Sequence, residues 1–187
     1  VTGRSKYGLD TQVDGMRYAV IARSPILNGR VRSFDASAAL EIDGVLDVFE
    51  IEGPKPGEPY VILASGVAVV ATSTWAALKA RRALEVEWES GPNAEDSSEK
   101  FWRENAAMLE TAGQIVTDDG DFEAAMSAAG TDVSRRYEVP FVSHQPMEPQ
   151  NCFAHVQEDS CHIIAPTQMP SGASRAAAAV TELPREN

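Results

Sequence analysis

Residues 67–71, VAVVA, constrain the fold more than any other stretch, because five consecutive apolar side chains leave no face for water. A run this short, set between Gly66 and Thr72, reads as a strand buried on both faces. Thr72 or Ser73 then caps a helix, TWAALKARRAL, by accepting free N–H groups of its first turn. At helical spacing Ala76, Ala77, Ala80, Ala83 and Leu84 fall on one apolar face, and their small size lets the helix sit close against a sheet. Lys79, Arg81 and Arg82 lie around the other side, where Trp75 and Leu78 offer a second contact.

The preceding residues supply further elements of the same unit. Residues 17–23 read as a buried strand, with Tyr18, Val20 and Ala22 alternating against Ala19 and Ile21, and Ser24-Pro25 ends it. Asn28-Gly29 marks a tight turn before a short strand over residues 30–34. Asp35 is placed to cap the helix ASAALEI, and Asp43-Gly44 closes that helix with a left-handed residue. Residues 45–51 form a strand with Val45, Asp47, Phe49 and Ile51 on one face and Leu46 and Val48 on the other. Residues 53–57, GPKPG, are a loop by composition, and residues 84–88 are a final strand. The order strand, strand, helix, strand, strand, helix, strand describes an α+β unit with its own core. It carries no nucleophile–base pair, metal spacing or phosphate loop, and the isolated Gly3 and Gly8 do not make a dinucleotide fingerprint.

Residues 89–100, ESGPNAEDSSEK, lack hydrophobic periodicity and read as a domain boundary or long surface connection. A helix follows through Phe101, Trp102, Ala106 and Leu109 and ends near Gly113; residues 115–117 read as a short strand. The DDGD turn at residues 118–121 lacks the spaced carboxylates and distal Glu of a calcium loop. Asp121 instead caps the helix FEAAMSAAG. Residues 133–139 read as a strand with Val133, Arg135, Tyr137 and Val139 on one face.

Charge narrows the function classes. The net charge of −12 argues against a nucleic-acid groove, which needs Lys and Arg concentrated on one face, and against attachment to anionic lipid. A solvated acidic surface accounts for it. No apolar run approaches the ~20 residues that span a bilayer. The first residues, VTGRSKYGLD, have no signal-peptide h-region and no initiator Met, so upstream sequence is expected. Two cysteines do not fix a redox compartment, and localisation stays open.

All three histidines, both cysteines and a run of prolines fall within residues 137–170. That proline density suits irregular backbone rather than a regular strand or helix. The Cys/His content invites zinc, but strand parity opposes it. Residues 153–156 and 161–164 read as a hairpin around residues 157–160, which sets His155 opposite His162 and points Cys152 and Cys161 to the other face. A loop of odd length would change that parity and restore the zinc reading. No metal ligand is assigned. Nor does one hairpin bring together the acid, base and orienting group of a nucleophilic site. His144, Glu148 and Gln168 stand out as polar residues among prolines, where binding groups often lie. The equal alternative is that each satisfies backbone groups of its own loop.

Taken as motifs, SHQPMEPQNCFAHV followed by CHIIAPTQMP resembles the molybdopterin-binding large subunit of the xanthine dehydrogenase and aldehyde oxidase superfamily. Within it, the likeness is to the isoquinoline 1-oxidoreductase beta subunit group, which includes cytochrome-coupled aldehyde dehydrogenases. KYGLDTQVDGMRYAVIARSP, GRVRSFDASAAL, GVLDVFEI and GVAVVATSTWAALKARRALEVEWESGP resemble that group's α/β hammerhead domain, and GDFEAAMSAAGTDVSRRYEVPFVSH resembles the join that follows.

The resemblance implies an α+β chain with a hammerhead domain over residues 1–90. A linker and helices would occupy residues 91–132, and the beginning of a molybdopterin-binding domain residues 133–187. It implies an oxidoreductase that hydroxylates an aldehyde or N-heterocycle at a molybdenum–molybdopterin cofactor, with oxygen from water and a glutamate as base. An iron–sulfur small subunit would take the electrons, and a cytochrome c subunit is a further partner in parts of the group. Residues 144–149 and 167–170 would lie near the cofactor, with His144, Glu148 and Gln168 as cofactor-side residues. Export to the periplasm, or membrane association through partners, is common among proteins resembling this group.

Two departures qualify the implication. A molybdenum-facing glutamine often stands two residues before this histidine, where Val142 stands here. The glycine-rich cofactor loop and the late glutamate base are expected beyond Asn187, so the chain is expected to be a piece of a longer subunit, inactive alone and without bound cofactor. The competing expectation is a stand-alone, non-catalytic α+β module that binds a partner through the proline-rich stretch, since no complete active site can be assembled from these residues.

Overall fold

In the computed structural model, which describes residues 2–53 and 64–186, the VAVVA run lies in strand β4 (Gly66–Ala71). β4 is the middle strand of an antiparallel three-stranded sheet, between β1 (Tyr18–Arg23) and β3 (Val45–Ile51). Val67 and Val69 are wholly buried there. Removing such a side chain from water contributes about 1.5–3 kcal/mol.

The helix after β4 is α2 (Thr74–Ala83), and its cap is Ser73, whose Oγ accepts the Ala76 N–H at 3.2 Å. Thr72 is engaged elsewhere, its backbone N–H donating to the Gly44 carbonyl at 2.8 Å. Ala76, Ala77 and Ala80 are the buried face of α2, as their spacing required. Ala80 meets Val69 and Ala39 of the short helix α1 (Ser37–Leu40), with Val20, Ile42, Val45, Val48, Ala83 and Leu84 around them. Trp75 lies on the opposite side at 70% exposure.

β2 (Arg30–Asp35) pairs antiparallel with β5 (Glu85–Glu89) in a second sheet. A bulge between Val31 and Ser33 interrupts that ladder. The Val31 N–H donates to the buried Ser65 Oγ at 3.0 Å, so a serine just before β4 satisfies a group of the bulged strand. From β1 to β5 the element order expected from the sequence is the order observed.

Two details depart from strict patterning. Alternation put Val45 and Val48 on opposite faces of β3, yet both pack on the Val69 core. The register shift between Val45 and Asp47 is the cause, since one extra residue inverts parity along the strand. α1 is also only four residues long, with Ala36 at its N-cap; Asp35 stands one residue earlier and accepts the Ser37 N–H at 2.8 Å. Gly44 closes the turn after α1 in the left-handed conformation, φ 87°. Apart from Gly53, the GPKPG loop lies outside the described residues.

The described chain divides into one unit of Val1–Ala94 with Gln145–Asn187 and another of Glu95–His144. The second holds α3 (Ser98–Met108) and α4 (Phe122–Ala128). α3 begins inside the polar stretch read as linker, because the Ser97 Oγ accepts the Lys100 N–H at 3.1 Å. Lys100 also pairs with Asp96 at 3.1 Å. Asp121 caps α4 as expected, accepting from the Ala124 N–H at 2.9 Å. Phe101 meets Phe141 edge-on at a centroid distance of 5.9 Å.

The strands expected over residues 115–117 and 133–139 are absent: both stretches are irregular. Val116 is 90% exposed, and Tyr137 and Val139 are 88% and 85% exposed. Alternating apolar residues make a strand only where a neighbour takes their hydrogen bonds and covers their face. Among the described residues no strand pairs with either stretch.

Candidate functional site

The dense stretch contains one antiparallel hairpin, β6 (Phe153–Val156) and β7 (Cys161–Ile164), in the register expected from its four-residue loop. The Gln157 N–H donates to the Ser160 carbonyl at 2.8 Å and closes the loop. His155 is directly opposite His162, and Phe153 meets His162 edge-on with centroids 6.3 Å apart. Cys161 pairs instead with Val156, so it belongs to the alternate face. Both cysteines are free thiols. Burial pushes the Cys152 thiol pKa up, and Cys161 nearby adds to the shift. Among the described residues no group of three or more His, Cys, Asp or Glu could hold a metal ion.

After the hairpin the chain turns into α5 (Pro170–Thr181), with Pro170 in the first turn, where its missing N–H costs nothing. The Met169 N–H donates to Thr167 Oγ1 at 3.0 Å, which shapes the turn that carries Gln168. Gln168 is exposed there. Glu182 ends the helix in the left-handed conformation, φ 60°, and the Arg185 Nε–H donates to Ser174 Oγ at 3.4 Å. Hairpin, helix and returning chain line a half-open pocket of about 340 Å³, bordered among others by Cys161, His162, Thr167, Ser174 and Arg185.

Glu148 is the best-held of the three singled-out residues. Its Oε1 accepts the Gly8 N–H at 2.9 Å and the Asn151 Nδ2–H at 3.2 Å, and Asn151 Nδ2 also donates to the Pro149 carbonyl at 2.8 Å. Gly8 opens a short 3₁₀ turn, Gly8–Asp10, closed by the Tyr7 N–H on Asp10 Oδ2 at 2.8 Å. His144 is exposed and ends the Glu95–His144 unit. Among the described residues no hydrogen bond joins any two of His144, Glu148 and Gln168. Sequence reasoning passed over Gly8 and Asn151, because the link between Gly8 and Glu148 spans 140 residues and leaves no local signal.

Residues 106–187 match the family described as the molybdopterin cofactor-binding domain. That stretch contains His144, Glu148, Gln168, the hairpin and α5. The chain is 28% identical over 172 residues to the membrane-bound aldehyde dehydrogenase [pyrroloquinoline-quinone] of Gluconacetobacter polyoxogenes, covering 90% of this chain and 22% of that protein. It is 26% identical over 216 residues to the xanthine dehydrogenase molybdenum-binding subunit of Escherichia coli O157:H7, covering 98% and 28%. With the isoquinoline 1-oxidoreductase subunit beta of Brevundimonas diminuta it shares 27% over 187 residues, covering 91% and 22%. Quinoline 2-oxidoreductase from Pseudomonas putida 86 has a similar fold, with a TM-score of 0.63 at 22% identity over 99% of this chain and 27% of that one.

The motif resemblance and these relatives point to the same kinds of protein, xanthine and aldehyde dehydrogenases and isoquinoline 1-oxidoreductase, and the mixed α+β architecture is similar to that of quinoline 2-oxidoreductase. The chain spans about a quarter of the length of these relatives. Two of these names call the relative a subunit, as expected of parts of multi-subunit enzymes.

Proposed function

We propose that this chain forms part of the large subunit of a molybdenum hydroxylase acting on an aldehyde or an N-heterocycle. The observation that carries the reading is the match of residues 106–187 to the molybdopterin cofactor-binding domain, which takes in all three singled-out residues. The first part of the chain, through residue 90, would be the hammerhead domain, and residues 133–187 the start of the cofactor domain. The molybdenum–pterin group, when bound, supplies the hydroxylation chemistry, with water as the oxygen source. An iron–sulfur small subunit would receive the electrons, and a cytochrome c subunit would be a further partner. The relatives' names, which are those of enzymes and their subunits, favour this reading over a non-catalytic interaction module.

The donor chemistry fits the cofactor in part. His144 and Gln168 are exposed and offer a ring N–H and an amide to a pterin or its phosphate. The Glu148 carboxylate is engaged by Gly8 and Asn151, so it would serve the site from behind. The test is the coding sequence that follows Asn187, together with metal analysis. A glycine-rich loop soon downstream, and molybdenum in the protein made from the longer reading frame, are the expected results. A stop codon directly after Asn187, or stoichiometric molybdenum in the 187-residue chain alone, overturns the proposal.

A further inference from the structure

We infer that Glu148 is a structural latch: its carboxylate ties the N-terminal turn Gly8–Asp10 to the MEPQN loop, with Gly8 and Asn151 as the two other parts of the latch. The inference does not rest on the cofactor reading and is tested without cofactor.

Three observations converge. Glu148 Oε1 takes two donors, one of them a backbone N–H 140 residues away, and a carboxylate bonded to a backbone N–H makes one of the stronger hydrogen bonds available to a folded chain. Asn151 bridges that carboxylate to the Pro149 carbonyl, which holds the loop in the shape that aims Glu148 at Gly8. A Cβ at position 8 would strike the Asn151 Oδ1, so a side chain fits there only if the Asn151 side chain moves out of the latch. Gly8 has no left-handed backbone in this structure, so the glycine is explained by close approach to Asn151 rather than by conformation. The receiving turn is itself closed, by the Asp10 N–H on the Tyr7 carbonyl at 3.0 Å and the Thr11 N–H on the Gly8 carbonyl at 3.1 Å.

The consequence is that residues next to His144 are held through the opposite end of the sequence. Met147, fully exposed, sits on the loop that the latch fixes. Gln145, in the left-handed region with φ 37°, lies just ahead of it. A carboxylate that touched only a ligand would leave the Gly8 amide indifferent to its removal.

The experiment uses the 187-residue chain and follows hydrogen exchange at Gly8 and over residues 7–11, with circular dichroism to confirm that each variant keeps its fold. In Glu148→Ala the Gly8 amide should exchange about tenfold faster, the loss of roughly one charge-assisted hydrogen bond. Glu148→Gln keeps an oxygen acceptor and should retain most of the protection, whereas Glu148→Asp is too short and should behave like the alanine. Gly8→Ala should lower the melting temperature, and Asn151→Ala in the same chain should make that substitution less harmful, because it removes the atom the new Cβ would strike. Unchanged Gly8 exchange in Glu148→Ala, or a Gly8→Ala effect equal in the presence and absence of the Asn151 side chain, overturns the inference. Neither result bears on whether the longer protein binds molybdenum, so the two proposals fail separately.

Discussion

Gly44 and Gly15 both have positive φ, 87° and 77°, but they answer to different constraints. A Cβ on Gly44 would lie 2.7 Å from Thr72 Oγ1, whereas a Cβ on Gly15 would meet nothing within 4 Å. Gly44→Ala is therefore expected to cost about 2–3 kcal/mol, adding a clash to the left-handed penalty, and Gly15→Ala about 1 kcal/mol or less. Denaturant unfolding of the two variants measures the difference, and equal losses would mean that Thr72 yields freely. Asp35 gives a second test at this scale. Its hydrogen bond to Ser37 holds the carboxyl pKa below the ordinary value of 3.8. A depressed folded-state value means that the stabilisation is present above the unfolded-state pKa and lost as pH falls through the folded one. Asp35→Asn should be less stable than the native chain at pH 7, and the two should converge as the pH falls through the lowered folded-state pKa of Asp35. Thermal melts over that range are the measurement; a gap that persists in acid would assign the effect to something other than the carboxylate.

The elements were legible wherever a local signal named their ends. Ser73 and Asp121 each cap the helix that follows, and Gly44 is the left-handed residue its position demanded, whereas the Ser97 cap lay hidden in the stretch read as linker. The buried alanines of α2 could be read from spacing alone. What could not be read was the bulge in β3, because alternation carries no mark of an inserted residue until the partner strand is known. The helix α1 shortened for a related reason: Ile42 is drawn into the core beside Ala39 and Val69, past the last helical residue. This ranking of signals has an energetic counterpart. Ser73→Ala should cost about 1 kcal/mol, the usual loss of an N-cap, whereas Val69→Ala opens space between α2 and the sheet and should cost about 2 kcal/mol or more. Chemical denaturation orders the two. A larger effect from the cap would show that α2, rather than the β4 core, limits the stability of this unit.

The structure concentrates its order unevenly along the chain. Residues 18–89 carry two sheets, a capped helix and the buried cluster around Val69, and the turn signals, caps and apolar run that build them were all visible in the sequence. Residues 129–152 show no helix or strand, although 133–139 have the alternation of a strand. That alternation describes what the segment can do once paired, and pairing is a property of two strands, which is why pattern alone misassigned it. The candidate site was legible to the same degree: the hairpin register followed from loop length, while the Gly8–Glu148 contact lay 140 residues outside any local window. This contrast predicts where a protease enters. Arg135 and Arg136 lie in irregular, exposed backbone, whereas Arg81 and Arg82 are held in α2 and Arg23, Arg30 and Arg32 in strands. A protease cuts locally opened chain, so sites in helices and strands are cut only after local or global opening. Brief trypsin treatment of the 187-residue chain should cut at Arg135 or Arg136 and leave residues 18–89 in one piece, read by mass spectrometry of the early fragments. First cleavage at Arg81 or Arg82 would mean that α2 opens more readily than its cap and its alanine contacts with the sheet allow.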